Sequence, residues 1–590
     1  MKRRMKKLLA LLLCSATLLT ACGSPGDAGS SAGGSDSGSS AGTESSESDG
    51  GGSGQENNSE SKETTTLTFY SMFAGSNLDD AEWFRKLIRE KFNIELDVAA
   101  GNGDDSVIQA FLASGELTDI TAFRDAQSYQ AAAQGGMLIN LDDYKDKLPN
   151  LYENPDYEAA IAHTRDLYGG LYAMPTQIGE NGGLFAVPQM RWDLYQQLGR
   201  PKIETPEDLL TVLKQMQELE PVSREGANTY GFQLWNDWDG DVMLGFMMGL
   251  WMLPTGYYAT GPGGICEIKA DGSGAPKGMF DEDSHYMEGI RFMFQANQMG
   301  LIDPDSASQN EEAMNSKIMN GGALFTGYDS VKYGDTESAE GFYGLATVLP
   351  EYFQCVANAD RPVGYRWRYG ISSKCKNVDK ALELLNWYYG PEGINTILNG
   401  PEGVLWEWKD GKQVATQTYL DQGRTSVLAE GGTVSNASSF WGVTGYNHNY
   451  KINPESGQTY RLKDTDPDFR PQAADAMKAD WQSVYGEYSA MYDYVAEADG
   501  GKHLIRLNSI GDFIEPKPDE MDSITKQIDA IVIPAQWQAI FAKDEAEFNA
   551  IIDQARADAE ALGYSRVVED ETARWEAAKK IAENYGVKVD

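Results

Sequence analysis

The chain has 590 residues, 41% of them hydrophobic, with 89 acidic against 49 basic side chains and a formal net charge of −40. That length is enough to bury a large core and to form more than one domain or lobe. So acidic a surface argues against nucleic acid and anionic lipid as partners of the folded part, and favours solubility at a cell surface.

Lys2, Arg3, Arg4, Lys6 and Lys7 precede an apolar run from Leu8 to Leu19, followed by the small residues Thr20 and Ala21. Residues 1–21 thus have the three-part layout of a secretory signal, with an apolar part shorter than the ~20 residues of a spanning helix. Leu19-Thr-Ala-Cys22 resembles the bacterial lipobox, in which the cysteine is acylated and becomes the new N-terminus. The resemblance makes Cys22 a lipidation site that holds the protein on the outer face of the cytoplasmic membrane. Several acyl chains suffice for that, at ~0.8 kcal/mol per buried methylene. The alternative is a plain secretory signal with an incidental cysteine. Residues 22–65 are almost all small or polar and contain no aromatic. Such a segment cannot bury enough apolar surface to fold, and forms a tether with a root-mean-square reach of roughly 35–40 Å. Cys14 leaves with the signal. Cys266, Cys355 and Cys375 remain, which is no disulfide framework, and a Cys355–Cys375 pair stays open.

From Thr66 the texture changes. Leu67 to Tyr70 reads as a strand, Asn77 to Phe92 as a helix, Ile94 to Val98 as a strand, Ser106 to Ala113 as a helix and Asp119 to Phe123 as a short buried strand. This alternation predicts an α/β lobe. Thr205-Pro-Glu-Asp208 is a strong helix start, with a capping Thr, Pro at the first helical position and an acid three residues after the cap. Leu209, Val212, Leu213, Met216 and Leu219 then form one apolar stripe. Further helices are expected over 283–299, 378–389, 393–399, 472–496, 520–533, 545–562 and 570–584.

The order of several segments resembles the extracellular solute-binding proteins of ABC importers, in the carbohydrate-type group (family 1-like) that includes the maltose-binding proteins. The segments are Leu138-Ile-Asn-Leu141-Asp142, Leu167-Tyr-Gly-Gly-Leu-Tyr-Ala-Met-Pro175, the strand and helix over Leu184 to Leu198, and the helix from Thr205. Met319 to Phe325, Phe342 to Pro350, Tyr369 to Ser373, Asp379 to Gly393 and Asn399 to Gly403 follow in the same order. Residues 399–403 and the stretch from Ile528 onward resemble the long lipoprotein subgroup. The resemblance implies a two-lobed, periplasmic-binding-protein-like α/β fold of type II, with several crossing segments. It places lobe 1 over 66–185 and 323–370, lobe 2 over 186–322 and 371–515, and a C-terminal helical segment over 516–590. It also implies a monomer that takes an oligosaccharide into the interlobe cleft and delivers it to the ABC permease subunits. Some long members carry an Asp/Asn-rich calcium loop after the helix matching 206–219; here Glu218 to Gly231 lacks alternating Asp and Asn, which speaks against calcium there.

The chain shows no catalytic or cofactor motif. Its four histidines are widely separated, with no HExxH and no P-loop. Ser373 to Lys376 matches S-x-x-K without its partner motifs. Asp237, Asp239 and Asp241 start like a calcium loop, yet Val242 and Met248 stand where that loop needs Gly and Glu. Trp235, Asp237, Trp238 and Asp239 instead put indole faces beside acceptor oxygens, the chemistry that holds sugars. The alternative is a core tryptophan with a solvated acidic turn. Arg366 and Trp367, in Val363 to Tyr369, precede a crossing segment; strand alternation puts Arg366 with Arg368 on one face and Tyr365 with Trp367 on the other. An arginine facing the cleft favours acidic sugars, while an ion pair is its structural alternative. Arg124 and Asp125 follow the strand 119–123, and Tyr70 ends the first strand, at carboxyl ends where α/β sheets hold ligands. Trp441 and Tyr328 complete the expected ligand-binding set. Two other functions compete with sugar capture. One is a surface glycosidase using paired carboxylates; the other is a peptide-binding importer component.

Overall fold

The computed structural model describes residues 64–588, apart from 72–81, 102–105, 181–183, 187, 237–247, 261–262, 328–335, 339–340, 358, 423–450, 463–465, 467–468, 470–474 and 489. Cys22, Asp237, Trp238, Asp239, Tyr328 and Trp441 lie outside the described residues, as do the signal and nearly all of the tether. The chain begins with β1 (Thr65–Ser71), α1 (Glu82–Phe92), β2 (Ile94–Ala100), α2 (Ser106–Ser114), β3 (Ile120–Phe123) and α3 (Ala126–Gln134). This is the expected β-α-β-α-β alternation. β1 pairs in parallel with β2 on one side and β3 on the other. Trp83, Phe84, Ile88 and Phe92 of α1 are buried; Phe84, Ile88 and Phe92 recur every four residues, with Trp83 beside them, which gives the helix a single inward face. α4 (Glu158–Tyr168) and β4 (Ala173–Thr176) follow.

Past β4 the chain changes core. Ile178 belongs to the first core and Met190 to the second. Between them run β5 (Gly179–Glu180) and β6 (Leu184–Ala186), and β7 (Gln189–Arg191) enters the second core. α5 (Trp192–Gln197) and α6 (Pro206–Leu219) come next. α6 starts as its sequence dictates: the Thr205 hydroxyl accepts from the Asp208 amide at 3.2 Å, and the Asp208 carboxylate accepts from the Thr205 amide at 3.0 Å. β8 (Tyr257–Thr260), β9 (Cys266–Lys269) and β10 (Lys277–Gly278) form a small antiparallel sheet, followed by α7 (His285–Gln298) and α8 (Glu311–Met319). β11 (Phe325–Thr326) and β12 (Leu345–Thr347) flank β7 on either side.

The return passes through β13 (Cys355–Ala357), β14 (Asp360–Arg361) and β15 (Tyr365–Ile371). β14 pairs antiparallel with β5, Asp360 opposite Glu180 and Arg361 opposite Gly179. Two crossing segments that run in opposite directions therefore hydrogen-bond to each other between the cores. β15 then inserts antiparallel between β3 and β4, giving the order β2-β1-β3-β15-β4.

Here the packing differs from the expected partition, which put 323–370 in the first lobe and 371–515 in the second. Ala323, Leu324, Phe325, Leu345 and Val348 are buried in the second core, because β11 and β12 complete the sheet of β7. Tyr369, Ile371, Leu382, Leu385 and Trp387 are buried in the first. α9 (Val378–Tyr388) brings the Trp387 ring to 5.6 Å from Phe92, on α1. α10 (Pro391–Asn399) and the hairpin of β16 (Trp406–Lys409) and β17 (Lys412–Ala415) follow on the first core.

The expected helix over 472–496 is two helices, α11 (Asp475–Tyr485) and α12 (Met491–Glu497). Gly486, at φ +86°, takes the left-handed conformation that ends the first of them. β18 (Leu504–Arg506) pairs in parallel with β13, and a 3-10 turn spans Ile510–Phe513. Three long helices close the chain: α13 (Asp519–Ile540), α14 (Glu545–Leu562) and α15 (Tyr564–Asn584). α13 runs through Pro534, beyond its expected end at 533. A proline inside a helix costs ~3 kcal/mol. Burying Trp537 and Ile540 beyond it returns ~1.5–3 kcal/mol each and offsets that cost. Cys266, Cys355 and Cys375 are all buried and free, so the pair left open by the sequence does not form.

Candidate functional site

The C-terminal ends of β1 and β3 open on the same edge of the first sheet, since both strands run parallel. Arg124 and Asp125 follow β3 directly. Arg368 of β15 stands opposite Phe123, so the antiparallel register carries Trp367 and Arg366 past the end of β3, alongside Arg124 and Asp125. Four of the expected residues therefore share one edge. The side chains of Arg366 and Trp367 lie outside the described residues. Their simple alternation does not hold in the backbone: against β4, Tyr365 pairs with Thr176 and Arg368 already with Pro175, so the strand bulges between them.

Asp125 has a structural task. It is the N-cap of α3, and its carboxylate accepts from the Ser128 amide at 2.7 Å. Arg124 is half-buried beside it. Tyr70 and Trp235 of the expected set are packed into the two cores. Tyr70 is 1% exposed and meets Phe111 edge-on at 5.5 Å, while Trp235 is 1% exposed inside the second core. Large rings at the ends of strands bury whenever a helix covers that end, which the local pattern does not reveal.

Arg368, at the same edge, is held from beneath by the first core, in which Tyr129 is fully buried. The Arg368 guanidinium lies over the Tyr129 ring, 5.5 Å from its centroid, and Tyr129 meets Tyr168 edge-on at 4.6 Å. Burial raises both phenols above their ordinary range. Tyr168 stands one residue before the Gly169-Gly170 turn singled out in the sequence; Tyr129 carried no such signal.

On the second core, Asn236 is fixed by its amide to Gln309 O at 2.8 Å and by Nδ2 to Ala307 O at 2.7 Å. It leads into Asp237, Trp238 and Asp239. Gly327 leads into Tyr328 and crosses Gly249 so closely that a Cβ on it would lie 2.3 Å from the Gly249 carbonyl oxygen. Glycine is required there by backbone approach. Nearby, His285 is stacked between Tyr257 (4.3 Å) and Trp251 (5.2 Å), with Nδ1 at 3.0 Å from Glu288 and Nε2 against the Thr255 hydroxyl. Burial lowers its pKa, against the opposing pull of Glu288.

A groove of about 450 Å³ at the end of α6 is lined by Lys214, Gln217, Pro221, Asn228 and Tyr230, none of them in the expected set. It adjoins the segment 218–231, which folds as a hairpin with Val222 opposite Asn228. Glu220 reaches the buried Arg191 at 2.7 Å, and the Ser223 hydroxyl donates to the Asn320 carbonyl at 2.6 Å. With these oxygens engaged, the donor set does not fit a calcium loop.

A model of the bacterial extracellular solute-binding proteins matches residues 75–394. This chain belongs to that family. The family is one of substrate-binding proteins, not enzymes. A solute-binding relative from Streptococcus pneumoniae serotype 4, the fructooligosaccharide ABC transporter substrate-binding protein FusA, is 25% identical over 300 residues. That match covers 48% of this chain and 52% of FusA, so the chain spans about half the length of this curated relative. The solved structure of S. pneumoniae FusA in complex with kestose is similar at a TM-score of 0.54, with 16% identity over 88% of this chain and 100% of that one. The N-glycan transport solute-binding protein NgtS from S. pneumoniae gives a TM-score of 0.51, with 17% identity over 87% and 99%. These likenesses establish the solute-binding, two-lobed α/β fold with its C-terminal helices.

Proposed function

We propose that this solute-binding protein is the lipid-anchored receptor of an ABC importer, capturing an oligosaccharide between its two cores and delivering it to the membrane permease. The observation that carries this reading is the paired crossing of β5 and β14 between two separate cores. Such a joint lets two lobes close on a ligand by hinge motion. The sugar-related names of FusA and NgtS support an oligosaccharide as the solute. Arg124, Asp125, Arg366 and Trp367, together with the added Arg368, are the proposed first-lobe contacts. Asp237, Trp238, Asp239, Tyr328 and Trp441 are the proposed partners from the rest of the chain. Arginines at one edge favour hydroxyl-rich or acidic glycans. Cys22 is the proposed acylation site, residues 22–65 the tether, and the protein acts as a monomer.

Isothermal titration calorimetry against fructooligosaccharides, mannose-rich glycans, uronic-acid oligomers and short peptides tests the reading. One glycan class is expected to bind, and Arg124→Ala to weaken it by ~10–100-fold, the worth of a hydrogen bond to a charged group. Binding of peptides alone would replace this reading with the peptide importer. Product release from any glycan, lost on Asp237→Asn, would restore the glycosidase.

A further inference from the structure

The crossing pair β5–β14 has a third partner. Arg361 of β14 forms an ion pair with Asp512, whose side chain is almost wholly buried in the 3-10 turn Ile510–Phe513. That turn belongs to a small third cluster with Val363, Ile268, Trp575, Ala578 and Ala582. The cluster draws on the turn just past β14, on the second core's small sheet and on α15. It ends on α4 through Ala159, in the helix whose Ala160 and Ile161 are buried in the first core. There His163 is 4% exposed, with the Phe513 ring at 5.0 Å and the Tyr585 ring at 5.2 Å, and those two rings stack on each other at 5.5 Å. The Tyr585 hydroxyl donates to Asp166 of α4 at 3.2 Å. The C-terminal part, whose long helices pack on the second core, thus reaches across to the first beside the hinge.

We propose that Phe513 and Tyr585 form a latch over His163, closed while the imidazole is neutral and released when it takes up a proton, so that the C-terminal part braces the β5–β14 hinge at neutral pH and frees it in acid. Among the described residues His163 Nε2 has no hydrogen-bond partner, so a proton there finds no acceptor inside the closed latch. The groups around it set the balance. Arg368 of β15 opposes the charge and Asp166 of α4 favours it, while the end of α15 brings the Tyr585 phenol against the ring. The Asp512 carboxylate of the turn is engaged by Arg361. Burial and Arg368 win, and the closed form lowers the His163 pKa from 6.5 to about 4. The sign follows. A released histidine binds the proton more tightly, so latch closure is complete above pH 6.5 and weakens as pH falls toward 4.

Hydrogen–deuterium exchange of the full chain, corrected for intrinsic rates, measures this. Exchange across 158–168 and 575–587 is expected to rise by about 30-fold between pH 7.5 and pH 5, the ratio those two pKa values set. His163→Gln removes the titrating group and is expected to abolish the step. Tyr585→Ala, at the partly buried end of α15, is expected to show fast exchange already at pH 7.5. The radius of gyration by small-angle scattering is expected to change over the same interval in the native sequence and to stay flat in His163→Gln. An equal pH step in His163→Gln, no step in the native sequence, or a radius that ignores the step would each overturn the proposal.

Discussion

Arg191 has no exposed side-chain surface, yet it carries a full charge. It is tolerated because the guanidinium forks onto Asp193, Nε to Oδ1 at 2.9 Å and Nη2 to Oδ2 at 2.8 Å, with Glu220 at 2.7 Å. Arg191→Met would leave the buried Asp193 uncompensated. A loss of ~3–5 kcal/mol in urea unfolding is expected; a loss under 1 kcal/mol would mean that the triad is replaceable by packing. The three free cysteines make a second residue-scale case. Burial pushes each thiol up to about 12, so almost no thiolate exists at neutral pH. An aromatic disulfide reagent is expected to label none of them in the folded protein and all three in denaturant. Fast labelling without denaturant would contradict the burial. Tyr70 and Trp235 show why single residues were hard to assign. Aromatic type and position beside acids suit both a sugar platform and a core, and only burial separates the two.

Elements were more legible than residues. The Thr205–Asp208 capping box, the α1 face and the α14 boundaries all follow from local chemistry, because caps and helical spacing are set within a few residues. Thr205→Ala removes one half of the box and is expected to cost ~1 kcal/mol, read as a shift in the denaturant midpoint at unchanged slope. An unchanged midpoint would show that α6 is held by packing alone. The misses at this scale have identifiable causes. Gly486 divided one expected helix, and burial beyond Pro534 extended another. The bulge of β15 displaced the alternation of Tyr365 to Arg368, since a bulge depends on the neighbouring strand rather than on the strand's own residues.

At the scale of the molecule, two cores are joined through segments that pair with each other, and the composition of residues 22–65 gives them no apolar surface to add to either core. Deleting residues 1–64 is therefore expected to leave both thermal midpoint and ligand affinity unchanged. Cys22→Ser is expected to release the otherwise intact protein from the membrane fraction. A deletion that lowers ligand affinity several-fold would give the tether a part in binding. Continued membrane retention of Cys22→Ser would remove the acylation reading.

The sequence by itself determined the element types, the α/β class, the polar linker and the ordered set of short motifs that match a solute-binding family. Those features are written in spans of a few to about twenty residues, where periodicity, capping and composition act. Only the tertiary structure decided that Ala323 to Phe325 and Leu345 to Val356 join the second core, that Tyr369 to Trp387 returns to the first, and that Phe513 and Tyr585 close on His163. Each of those choices pairs residues far apart in sequence, and the side chains of a strand are equally apolar whichever sheet they complete.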